Sequence, residues 1–167
     1  MAPVGFVYND VWQRLLVAET SYRRARSLDP QMFEARLRLG RVLFLKRDMD
    51  AARREFESVA NGAADERLSY LAHLFLGGVH QFQNDVADAR LEYEAALRLA
   101  PQYQTPYVAL SFLEQMAGRQ ARASELQTAL AALPAPAARD PWWDYQNGMF
   151  DEDVLTWLRA HVVSSKP

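Results

Sequence analysis

A chain of 167 residues, half of them hydrophobic and none of them cysteine, is enough for about one domain and excludes a disulfide framework or a thiolate metal site. A net charge of -2 is too balanced for a nucleic-acid-binding tract or an acidic tail. Met1–Tyr8 lacks the basic head and long apolar run of a signal peptide, and no window approaches the roughly 18 apolar residues of a membrane span. The chain is therefore expected to be soluble and not inserted in a membrane. The cytoplasm is favoured, with the periplasm open if a leader was removed. Of 19 basic residues only Lys46 and Lys166 are lysine, and with abundant alanine this points to a high-GC bacterial source.

In chain order, Asn9 or Asp10 can cap a helix from Val11 to Leu28 whose apolar side carries Trp12, Leu15, Leu16, Ala18, Tyr22 and Ala25. Asp29-Pro30 stops it. A second helix is predicted from Phe33 to Lys46, with Arg47-Asp48 as its turn, and a third from Met49 or Asp50 to Ala60. Asn61-Gly62 suits a left-handed C-terminal cap for the third. The fourth begins near Ala64 and runs to Phe82; it is apolar on nearly every face, which implies burial on more than one side. Asn84-Asp85 then breaks the run, and Val86 to Leu99 resumes a three-and-four spacing that Pro101 ends. Helix six is predicted from about Gln104 to Ala117 and helix seven from Gln120 to Ala132, separated by Gly118. A linker with Pro134, Pro136 and Pro141 follows, then Trp142-Trp143-Asp-Tyr145, and Asp151-Glu-Asp153 opens an eighth helix to about Val163.

Self-similarity organises these elements. Small residues at Ala18, Ala52, Ala89 and Ala123 recur at intervals of 34, 37 and 34, and four residues after each stands Tyr22, Phe56, Tyr93 or Gln127. Sixteen residues before the last three alanines stand Arg36, His73 and Tyr107, followed by Leu39-Gly40, Leu76-Gly77 and Leu110-Ser111. Two antiparallel helices approach closely only where Gly or Ala removes bulk, and an aromatic ring fills the space left.

On these residues the chain resembles the tetratricopeptide repeat family, whose pattern is matched most fully by His73, Leu76, Gly77, His80, Ala89, Tyr93 and Pro101. The resemblance implies an all-α, right-handed α-α superhelix of antiparallel hairpins. Its repeats are expected at 33–64, 70–101 and 104–134, after a half repeat at 11–30. That half repeat is expected to be either a true start or the remnant of a longer chain. Residues 135–167 are read as a Pro/Trp linker and C-terminal capping helix of the same domain, with the tryptophans capping the last hairpin.

Catalytic signals are weak. His73 and His80 are seven residues apart on one helix, roughly 10 Å, too far for one zinc ion with bonds near 2 Å to bridge. No nucleophile triad or Gly-rich phosphate loop is recognisable. The chain is read as non-enzymatic, with no metal and no cofactor. In the resembled family the first helix of each hairpin lines a concave groove. Carried over, that face gives Leu37, Arg38, Arg41 and Phe44, then Leu71, Leu74, Gly78 and Gln81, then Val108, Phe112, Gln115 and Met116. The function this implies is a protein-interaction adaptor that takes a peptide or helix in an apolar groove, with no nucleic-acid role. The alternative is a self-associating scaffold, a homo-oligomer whose groove its own C-terminal segment fills. Arginines at 23, 24, 26, 53 and 54 are expected on solvated faces. Replacing Ala89 by Leu should overpack the fourth and fifth helices and cost about 1–3 kcal/mol in a thermal melt.

Overall fold

The computed structural model describes the backbone of residues 4–134 and 138–146, and the side chains of 11–134 and 138–145. All regular structure among these residues is helical: α1 (Val4–Leu28), α2 (Phe33–Leu45), α3 (Met49–Gly62), α4 (Glu66–Phe82), α5 (Val86–Leu99), α6 (Thr105–Met116), α7 (Gln120–Ala131) and the short α8 (Trp143–Gln146). The helix expected over 151–163 lies outside the described residues.

Three turns join the helix pairs with one recipe. Arg47, Asn84 and Gly118 each take a left-handed φ, of 67°, 63° and 74°. In the first two, an aspartate follows as N-cap: Asp48 accepts from the Ala51 N–H at 3.2 Å and Asp85 from the Asp88 N–H at 3.3 Å. In the third turn Arg119 stands at the cap position and makes no side-chain cap. A left-handed backbone is costly for arginine. Its guanidinium stacks 4.5 Å from the Phe82 ring centroid, a contact this turn delivers.

Two local expectations are corrected. Asn9 and Asp10 are not caps but interior residues of α1, because Val4–Tyr8 extends the helix past them. Nor does Gly62 supply a left-handed cap: α3 continues through it to an extended Ala63. Glycine is required there for a different reason, since a Cβ would come within 2.8 Å of the Phe33 ring.

That contact brings the start of α2 to the end of α3 and shows the pair to be antiparallel. The closest approach lies further in, where a Cβ on Gly40 would sit closer than 3.0 Å to the Phe56 ring, and one on Gly77 closer than 3.0 Å to the Tyr93 ring. Each aromatic fills the dent left by a glycine sixteen residues earlier, in α2/α3 and again in α4/α5. Phe56 also stacks on Phe75 of α4 at 5.2 Å, so one ring locks its own hairpin and seats the next. Ala52, Ala89 and Ala123 are buried in the same interfaces. The third pair, with Ser111 and exposed Gln127 at the corresponding places, lacks the interlock and relies on Ala123 and Leu126.

Charged contacts repeat too. Arg36 Nη1 meets Glu55 at 3.2 Å in the first hairpin, and His73 Nδ1 meets Glu92 at 2.6 Å in the second. Arg26 of α1 also reaches Glu55, so it tethers α1 to α3 instead of facing solvent as expected. Glu114, buried in α6, pairs with Arg90 of α5 at 2.6 Å and with Arg119.

Gly77 and Gly78 separate the two uses of glycine. At Gly78 a Cβ would find nothing nearer than the Tyr93 hydroxyl at 3.9 Å. Gly77→Ala should therefore destabilise by about 1–3 kcal/mol through overpacking, whereas Gly78→Ala should stabilise by up to about 1 kcal/mol through helix propensity. Paired denaturant melts check the opposite signs.

Candidate binding groove

Glycine at 78 leaves space on the face shared by α2, α4 and α6. A cavity of about 240 Å³ opens there, lined by Leu74 and Gly78 of α4, Arg41 and Phe44 of α2, Tyr93 of α5, Ala109 of α6, and Trp142. Four helices thus converge on one hollow, and a residue from the chain's last described segment helps to close it.

Along the α2/α4 seam, cations and rings alternate. Arg47 lies over Phe82, and Phe82 meets Phe44 edge-on at 6.3 Å. Arg41 is 5.6 Å from the Phe44 ring and 5.7 Å from that of Phe75. Phe75 meets Tyr145 at 5.6 Å, and Arg38 lies 4.8 Å over the Tyr145 ring. Burial among these rings lowers the Arg41 pKa from its ordinary value. The seam is apolar in bulk and cationic at intervals.

The carried-over groove residues divide into four groups. Leu37 and Leu71 are fully buried in the core, because α2 packs directly on α4, and they present nothing to a ligand. Arg41, Phe44, Leu74 and Gly78 line the cavity together. Val108, Phe112, Gln115 and Met116 form an exposed stripe on α6, with Met116 at 74 % exposure. Arg38 is held by Glu34 at 2.8 Å, and Gln81 accepts from the Tyr93 hydroxyl at 2.8 Å.

Residues 138–146 occupy the other end of this face. The segment is held against this face and against α6: Tyr145 packs on Phe75 of α4 and donates to Glu34 of α2 at 2.6 Å, while Trp142 borders the cavity together with Thr105 and Ala109 of α6. The reason is Asp140. Its carboxylate is buried and accepts from Tyr70 Oη at 2.9 and 2.8 Å, from the Thr105 N–H at 3.1 Å and from the Trp142 N–H at 2.9 Å. A carboxylate taken out of water must find donors, and those outside its own segment sit in the first turns of α4 and α6. Burial and the neighbouring Asp140 charge push the Tyr70 hydroxyl pKa up, so it stays a donor. Asp140-Pro141 had the composition of a linker, and only its position between prolines and three aromatics hinted at more.

Neither a family model nor a curated protein matches this chain.

Elsewhere, His80, Asp85 and Asp88 bring their ligand atoms within 4.8 Å of one another. Asp85 is already engaged as the α5 cap, and both acids are exposed. No helix among the described residues is long and apolar enough to cross a membrane.

Glu34 joins the groove to its own segment. Burial alone would raise its pKa, but the Tyr145 hydroxyl and the Arg38 and Arg67 guanidiniums outweigh that and hold it below its ordinary 4.5. A depressed folded value means that the stabilisation is complete above the unfolded value and is lost as pH falls through the folded one. The melting-temperature gap between the wild type and Glu34→Gln, present near neutral pH, should therefore shrink as pH falls below about 4.5. Thermal melts from about pH 7 to about pH 3 measure it.

Proposed function

We propose that this chain is a non-catalytic protein-interaction module of the tetratricopeptide repeat type, a right-handed helical superhelix whose α2/α4/α6 face takes a peptide or helix of another protein. The recurrence of one turn and one glycine–aromatic contact supports the repeat reading. A non-catalytic role agrees with how the ionisable groups are used: Glu55, Glu92, Glu114 and Asp140 each bind a structural partner. A bacterial source follows only from the arginine and alanine usage.

The observation that carries the groove reading is Gly78. A glycine inside a helix costs about 1 kcal/mol relative to alanine, and no packing contact among the described residues requires this one. What it does is keep the cavity open, with Ala109 in its lining between the exposed Val108 and Phe112 of α6. Such a hollow beside exposed apolar surface suits a bulky side chain of a partner.

Self-association is the second reading, favoured by α1, whose Val11, Trp12, Leu16 and Val17 are exposed along one helix. Light scattering across a concentration series separates it from a monomeric adaptor.

Peptides selected from a random library on the full chain should carry an aromatic or large aliphatic anchor. Gly78→Leu should weaken their binding by at least about tenfold, some 1.4 kcal/mol, without lowering the melting temperature. Unchanged affinity on titration calorimetry would reject the groove.

A further inference from the structure

The segment 138–146 lies on the helices as a bound peptide does, with a charge at one end and a ring at the other. At the first end the Asp140 carboxylate is only 1 % exposed. Every donor it meets there is uncharged: the Tyr70 hydroxyl, the Thr105 N–H and the Trp142 N–H. Thr105 is the first residue of α6, so the carboxylate also faces the positive end of a twelve-residue helix dipole. Among the described residues no basic side chain pairs with it. At the other end the Tyr145 ring is held between Arg38 and Phe75, and its hydroxyl donates to Glu34.

The receiving groups all belong to α2, α4 and α6, and together they form a complete receptor. It reads a carboxylate, then an indole two residues later beside the cavity, then a phenol three residues after that. Nothing in that chemistry requires the peptide to come from the same chain. A carboxylate that no basic side chain among the described residues pairs with can exchange for another that brings further contacts. The cavity next to Trp142 and the bare stripe on α6 provide them.

We propose that the partner is an acidic–aromatic peptide of another protein, with aspartate followed by aromatics two and five residues on, and that 138–146 is its internal stand-in, displaced when the partner binds. This rests on the groove reading above and supplies the partner's class. The linked segment competes at a high effective concentration, in the millimolar range for short linkers. The partner therefore prevails by continuing from the Asp140 receptor into the cavity that the internal segment leaves open.

The probe is a fluorescent nonapeptide with the sequence of residues 138–146, added to the full chain. Asp140→Ala/Tyr145→Ala, which weakens the internal copy, should bind it at least about tenfold more tightly than the wild type by anisotropy. A peptide carrying Asp140→Asn should bind that variant at least about tenfold more weakly, and Tyr70→Phe in the same background should cause a similar loss. Equal binding of the two peptides, or no saturable binding to the variant, would overturn the proposal. If the variant does not melt cooperatively, the wild type decides by hydrogen exchange: saturating peptide should lower protection of the Trp142 amide, and unchanged protection overturns the proposal. Should the peptide fail while Gly78→Leu still weakens library-selected ligands, the acidic–aromatic class falls and the groove stands. Should both fail, the groove falls as well.

Discussion

The close approach of paired helices at glycine is the constraint from which the rest of this molecule follows. Gly40 and Gly77 leave dents that Phe56 and Tyr93 fill, and no residue with a Cβ can stand in their place without moving a ring. An aromatic sunk into a dent is fixed in direction. Phe56 consequently presents its far face to Phe75, and Tyr93 presents its hydroxyl to Gln81. The first contact positions the next hairpin; the second places a polar tip near the cavity. Interlock within a hairpin and register between hairpins are thus one event, and this is how local packing sets the spacing of α2, α4 and α6.

A second layer depends on a single buried charge. Asp140 is expensive to bury and is stabilised only where Tyr70 and Thr105 supply donors. Hydrogen bonds to a charged group contribute roughly 1.5–3 kcal/mol each, enough to offset ordering a short stretch of backbone but not to make the contact permanent. The segment covers the beginnings of α2, α4 and α6 and leaves Phe82, Phe112 and Met116 bare. Among the described residues, one half of the face is covered by 138–146 and the other is left exposed.

Much of the fold was legible because helical repeats are written in local signals. The turns at Arg47-Asp48, Asn84-Asp85 and Gly118, the helices on either side and the alanines at the interfaces were all readable from spacing and breakers. Local signals failed at the ends of helices. Asn61-Gly62 has the composition of a left-handed cap, yet the glycine serves to admit the Phe33 ring, a contact between residues 29 positions apart. Asn9 and Asp10 look like caps because their side chains suit the role, and a helix that begins earlier overrides them. Arg26, read as a solvated cation, is committed to Glu55 through an interface that periodicity cannot see.

For the candidate face, the sequence by itself determined which helix comes first in each hairpin, and the family resemblance added a mostly apolar set with Arg38 and Arg41 at one end. It could not separate Leu37 and Leu71, which the core absorbs, from Arg41, Phe44 and Gly78, which line a hollow. One helix turn separates Leu37 from Arg41 and Leu71 from Leu74, and only the angle at which α2 meets α4 divides core from surface. Nor could it place Asp140. The chemistry of that residue is fixed by its side chain, but its partners lie 70 and 35 residues away. Such meetings exist only once the helices have stacked, because burial makes a hydrogen bond obligatory while the tertiary structure alone chooses where it is made.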